Sequence, residues 1–206
     1  MPNVLTVPRT QFRIARTVSD IMSPPALALP ALLMCAWAND FAATYRFALL
    51  YVAVGVGLPA LFVFWQLKAG RITDFHLPDR RDRIGPFIVS LVCGLLSFGL
   101  LVYADAPHGF LTPILAIQLQ VLVLFLITLV WQVSIHTATM ACLVIFAVLQ
   151  FGNAALFLFA LVPLVGWARL YLGRHSLMQT VTGAVIGCCC FPLLFRLCEL
   201  TWVTAQ

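Results

Sequence analysis

Two short clusters carry the residue types that chemistry on an anion requires. Arg169-Leu-Tyr-Leu-Gly-Arg-His175 sets two arginines and a histidine between two long apolar runs, and Ser134-Ile-His136 interrupts another. A guanidinium is a planar fork of donors that grips phosphate oxygens in pairs and keeps its charge. An imidazole nitrogen can attack phosphorus and form a covalent intermediate, or hand a proton to a leaving oxygen. His175 therefore reads as a nucleophile and His136 as a general acid, with Arg169, Arg174 and Ser134 as phosphate binders. The plainer readings are a headgroup anchor for the first cluster and a helix N-cap for Ser134. A third cluster, Asp74-Phe-His-Leu-Pro-Asp-Arg-Arg-Asp-Arg83, offers Arg80, Arg81 and Arg83 to a phosphate. Alternatively, it offers Asp74, Asp79 and Asp82 to a divalent cation, or is a solvated loop that neutralises itself.

The elements that must position these clusters are membrane helices. Of 206 residues, 63% are hydrophobic and 9% charged, which is far from a soluble composition. No nucleic-acid-binding motif accompanies the net charge of +5. The seven cysteines lie in or beside apolar runs with no C-x-x-C pair, so they read as small hydrophobes rather than a disulfide framework or zinc site. Apolar runs of membrane-spanning length place helices at about 24–38, 44–67, 84–104, 111–133, 137–152, 154–173 and 176–198. The expected fold is an all-α polytopic bundle of six to seven spans, residues 23–206, since helices satisfy their own backbone in lipid. Residues 1–22 read as a separate amphipathic segment on the membrane surface. There Arg9, Arg13, Arg16 and Asp20 share one face, and Ile14, Ala15, Val18, Ile21 and Met22 the other.

Counting crossings puts the three clusters on one side. The loop 68–83 starts there. The hairpin of the third and fourth spans returns to Ser134 and His136, and the next pair returns to Arg169 and His175. Ten of the twelve Lys and Arg residues fall on that side, with Arg46 and Arg196 opposite. The positive-inside rule then makes it cytoplasmic, in a cell (inner) membrane.

These residues resemble the type 2 phosphatidic acid phosphatases, a superfamily shared with vanadium haloperoxidases, as a divergent integral-membrane branch. Its motifs are K-x6-R-P, P-S-G-H and S-R-x5-H-x3-D. Ser134 and His136 match the second, with Val133 and Ile135 replacing its Pro and Gly. Arg169 and His175 match the third at the right spacing, with Ala168 in place of its Ser and Gln179 in place of its Asp. Arg83 is the candidate for the first-motif arginine, followed by Ile84 rather than Pro, with His76 at the lysine position. Ser19-Asp-Ile-Met-Ser-Pro-Pro25 and the loop Asp74–Phe87 also look like this branch, so the resemblance extends over about 20–200.

The resemblance implies a helical bundle with its site at the membrane edge, no metal and no cofactor. His175 would attack the phosphorus and His136 would protonate the leaving group. Ser134, Arg169 and Arg83 would bind the phosphate, and Gln179 would occupy the orienting position. The expected substrate is a lipid phosphomonoester or diphosphate in the bilayer. Two rivals stand beside this reading. One is a non-catalytic relative that binds lipid phosphates or a protein partner; the other is a magnesium-dependent intramembrane prenyltransferase using the loop aspartates.

Overall fold

The computed structural model describes residues 9–77 and 79–204. Residues 1–8 of the amino-terminal segment and Pro78 of the polar loop lie outside that range. All regular structure among the described residues is helical. The chain forms α1 (Arg9–Ile21), α2 (Pro24–Ala38), α3 (Phe41–Tyr51), a π-helical stretch (Val52–Gly57) and α4 (Leu58–Lys68). A 3-10 turn (Arg81–Arg83) leads into α5 (Ile84–Tyr103) and α6 (His108–Val130). Then come α7 (Ile135–Phe151), a 3-10 stretch (Gly152–Ala160), α8 (Leu161–Tyr171) and α9 (Leu177–Thr204).

The bundle is a multi-pass membrane protein. Five helical runs are long and apolar enough to cross: Phe41–Lys68, Arg81–Tyr103, His108–Val130, Ile135–Tyr171 and Leu177–Cys198. A sixth results when α1 and α2, bent by 50° at Ser23, are taken as one span. Val92, Leu95 and Leu96 of α5 and Leu126 and Val130 of α6 are exposed, as lipid-facing side chains are. The expected span at about 44–67 begins earlier, because Asp40 caps α3 by accepting from the Ala42 N–H at 3.2 Å. It runs unbroken through the π-helical stretch to Lys68.

The run from Ile135 to Tyr171 is one by composition but doubles back. α7 is 17 residues, about 26 Å at 1.5 Å per residue, and it ends at Gly152 with φ +63. A backbone turned this way suits glycine. The return leg begins as a 3-10 helix and continues as α8. Val165 of α8 then packs with Met140 and Val144 of α7. This run is the fifth and sixth expected spans.

α7 and α9 run parallel and nearly touch. A Cβ at Gly183 would collide with the Ser134 carbonyl, and one at Gly187 with the Ala138 carbonyl. Two glycines four residues apart lie on one helix face, and their lack of side chains lets backbones approach. The Thr137 hydroxyl ties the pair by donating to the Thr180 carbonyl at 3.0 Å. At the far end, Phe47, Phe110, Phe146, Phe191 and Phe195 share one apolar core.

α1 does not simply lie apolar face down. It packs on α8, burying Ala15 and Ser19, while Ile14 and Ile21 of the expected apolar face stay exposed. Tyr171 reinforces the contact by donating to Gln11 Oε1 at 3.0 Å.

The alternation of α5, α6, α7, α8 and α9 returns the polar segments to one end. Arg80 Nη1 reaches the Leu129 carbonyl at 2.9 Å and Arg83 Nη1 the Val133 carbonyl at 3.0 Å. Single cysteines from Arg71→Cys, Ala104→Cys and Ser176→Cys, in a background free of other cysteines, check this. With an impermeant thiol reagent on sealed vesicles, positions 71 and 176 label from the same face and 104 from the opposite one. Disagreement between 71 and 176 breaks the single-site arrangement.

Candidate functional site

The site is assembled from five segments at one end of the bundle. Ser134 caps α7: its Oγ accepts from the Thr137 N–H at 3.5 Å, and its own N–H donates to the Gln179 carbonyl at 3.1 Å. The capping role and a phosphate-binding role are compatible, because the hydroxyl proton is not used by the cap. His136 follows in the first turn of α7. His175 precedes α9. Two helix N-termini, and hence two partial positive charges, end here.

Two arginines are buried at this end without a carboxylate partner. Arg83 and Arg169 are 2% and 1% exposed. Neither forms an ion pair with a described residue. Arg83 donates from Nε to the Leu77 carbonyl at 2.8 Å and from Nη1 to the Val133 carbonyl. Arg169 donates from Nη1 to Ser19 Oγ at 2.8 Å, and its Nε is buried with no partner. His136 Nε2 is likewise buried and unpartnered. Carbonyls and a hydroxyl aim these guanidinium groups while no described carboxylate contacts them, which is costly unless an anion completes the site.

His175 is 8% exposed and held by Gln179. Its Nδ1 lies 3.1 Å from Gln179 Oε1, which also accepts from the Ser176 N–H at 3.1 Å. The backbone donor identifies that amide atom as the carbonyl oxygen, since the NH2 group would face a donor. Nδ1 therefore carries the proton, and Nε2 presents a lone pair. Burial, then the nearby Arg83 and Arg169, pushes the His175 pKa down to about 4, although the Gln179 contact works the other way. The ring is neutral and nucleophilic above that pH.

The polar loop contributes differently from expectation. Arg174, proposed as a phosphate binder, reaches Asp74 instead, Nη2 to Oδ2 at 2.5 Å. Burial alone would raise the Asp74 pKa. The His76 N–H and Arg174 outweigh it and hold the carboxyl down at about 2. Asp79 accepts from the Arg81 N–H at 2.9 Å. No carboxylate among the described residues hydrogen-bonds His175. A cavity of about 310 Å³ leads from this end into the bundle. His76, Arg83, His136 and His175 line it beside Leu27, Phe87 and Leu143, and deeper in it meets Tyr51, Gln118 and Phe146.

Residues 118–201 match the family model of the PAP2 superfamily. This segment belongs to that superfamily. It opens within α6 and closes within α9, so the PAP2 match takes in Ser134, His136, Arg169, His175 and Gln179. Arg83, His76 and α1 precede it. No curated protein and no solved structure matches the chain.

Sequence reasoning left Ser19 and Asp20 out of the site. Both belong to it, Ser19 through Arg169 and Asp20 through His76, whose Nε2 is 3.1 Å from Asp20 Oδ1. The available signal was a serine on the helix face defined by Ala15, four residues earlier, where an apolar residue was expected.

The His175 environment is testable by titration. Carbon-13 chemical shifts of ring-labelled histidine, assigned through His175→Ala, are expected to put this residue near pH 4. Gln179→Glu, which keeps the reach and adds a negative charge, is expected to move it upward. Because the unfolded chain takes the proton at a higher pH, this histidine costs the fold stability as pH falls from about 6.5 towards 4. A wild-type midpoint at 6.5 refutes the assigned surroundings.

Proposed function

We propose that this protein is a membrane lipid phosphatase that hydrolyses a phosphomonoester or diphosphate through a phosphohistidine. The observation that carries the reading is the pair of buried arginines, Arg83 and Arg169, neither ion-paired with a described residue, beside a neutral His175. The PAP2 match supports a phosphatase-type superfamily. The apolar lining of the cavity supports a substrate with a hydrocarbon chain.

The proposed reaction has two balanced steps. His175 Nε2 attacks phosphorus, the bond to the leaving oxygen breaks, and His136 Nε2 gives that oxygen its proton. Water then attacks the phosphohistidine while His136 takes the water's proton, releasing phosphate and restoring His175. Arg83, Arg169 and Ser134 bind the phosphoryl oxygens in this scheme, favouring the charge-dense transition state. Arg174 acts at the rim through its pair with Asp74. In this reading residues 1–22 are a basic amphipathic segment and 23–206 a membrane-embedded PAP2-like domain. Ten of twelve Lys and Arg side chains gather at the site end, which supports a cytoplasmic site in the cell membrane.

The loop aspartates favour this over the magnesium-dependent prenyltransferase. Asp74 is engaged by His76 and Arg174, and Asp79 by the Arg81 N–H. Gln179 favours the second reading, a non-catalytic binder, because an amide orients His175 without stabilising its charged form.

Purified protein, assayed with EDTA against phosphatidate, lysophosphatidate and prenyl mono- and diphosphates, is expected to release phosphate. His175→Ala is expected to abolish turnover. His136→Ala is expected to accumulate an acid-labile, base-stable phosphoprotein on a substrate with a good leaving group. Full activity in His175→Ala overturns the mechanism, and silence of the wild type on the whole panel favours the binder.

In a serine protease, an amide in place of the orienting aspartate lowers turnover about ten-thousand-fold. Gln179→Glu is accordingly expected to raise kcat by at least about tenfold, measured on the best substrate of that panel. An unchanged or lower kcat shows that orientation by the Gln179 carbonyl already suffices.

A further inference from the structure

Among the described residues, none hydrogen-bonds the His136 ring to fix it. Its Nε2 is unpartnered, and its one specific ring contact is a stack on His76, with centroids 5.7 Å apart and planes at 28°. A general acid has to present its proton within hydrogen-bond reach of the leaving oxygen, so its ring orientation matters.

His76, in contrast, is held at every polar atom of its ring. Nδ1 faces Asp74 Oδ1 at 3.2 Å, and Nε2 faces Asp20 Oδ1 at 3.1 Å. The two carboxylates come from different parts of the chain, the polar loop and α1. Rotation of the ring breaks one contact or both. Asp74 is itself fixed, accepting the His76 N–H at 2.9 Å and pairing with Arg174. On α1, the neighbouring Ser19 is anchored to Arg169, so Asp20 is placed by a buried contact one residue away.

We infer that His76, clamped between Asp20 and Asp74, is the positioning residue for His136, and that α1 is thereby a working part of the site. The inference rests on the proposed role of His136 as general acid. His76 acts as a rigid platform that restricts the His136 ring to one plane. It touches the bond-breaking step only through His136.

Leaving-group dependence of the first step separates this role from others. First-turnover release of the leaving group is compared between a lipid phosphate, whose alkoxide needs a proton, and a nitrophenyl phosphate carrying an alkyl chain, whose phenolate does not. His76→Ala and Asp20→Asn are expected to lower kcat on the lipid phosphate by roughly ten- to a hundredfold. Both variants leave the first-turnover burst of nitrophenol within about twofold, because that step needs no proton from His136, and His76→Ala adds nothing in a His136→Ala background. Asp20 is half-exposed, so Asp20→Asn keeps the test open if His76→Ala fails to fold.

An equal loss of first-turnover release on both substrates, a rise in KM alone, or full additivity with His136→Ala overturns the inference. So does unchanged turnover in Asp20→Asn and His76→Ala. His175→Ala runs in parallel as the control on the mechanism. If it stays active, the phosphohistidine reading has failed, whatever the His76 variants do.

Discussion

Two guanidinium charges buried in an apolar bundle govern this structure. A lone charge within a membrane helix bundle is costly, and no described carboxylate forms an ion pair with Arg83 or Arg169. Their donors go to the Leu77 and Val133 carbonyls and to Ser19. Much of the surrounding structure supplies those contacts: the folded-back loop before α5, the extended link before α7, and α1 laid across α8. A bundle that needed only to be stable would have filled these positions with hydrocarbon. Paired fixation with unmet charge is what a preorganised anion site requires.

That site depends on how closely α7 and α9 approach. Gly183 and Gly187 bring the α9 backbone against the Ser134 and Ala138 carbonyls, which lets the Ser134 N–H reach the Gln179 carbonyl. The segments carrying His136 and His175 are thus tied by backbone rather than by long side chains. A side chain at either glycine would part the helices and separate the two histidines. Overpacking of this kind typically costs about 1–3 kcal/mol.

The sequence made the helical class and the shared side of the clusters legible, because apolar run lengths and crossing parity depend only on hydropathy and turns. The third-motif spacing was legible for the same reason that it works: Gln179 follows His175 by four residues and meets it across one helical turn. The Arg174–Asp74 pair was not legible because a guanidinium next to a histidine looks the same in sequence whether it faces a phosphate or a carboxylate. Ser19 and Asp20 were hidden because their partners, Arg169 and His76, lie far along the chain. The start of the second expected span shifted to Asp40, where a cap rather than hydropathy decides the helix end, whereas the turn at Gly152 fell where the sequence put it.

The departures from the family motifs form a pattern of charge. Relative to the motifs the chain resembles, a lysine gives way to His76 and an aspartate to Gln179. One permanent charge of each sign is removed. An aspartate at 179 would compensate the two buried arginines in part and raise the His175 pKa; the amide leaves both effects out, and the ring stays neutral down to about pH 4. The carboxylates present at this end go elsewhere, Asp20 and Asp74 to His76 and Asp74 also to Arg174. Among the described residues, carboxylates thus support the ring that stacks on His136, and none hydrogen-bonds His175. The His175 ring is held by Gln179, whereas the His136 ring, with no hydrogen bond to a described residue, is the histidine whose placement most needs a rigid neighbour.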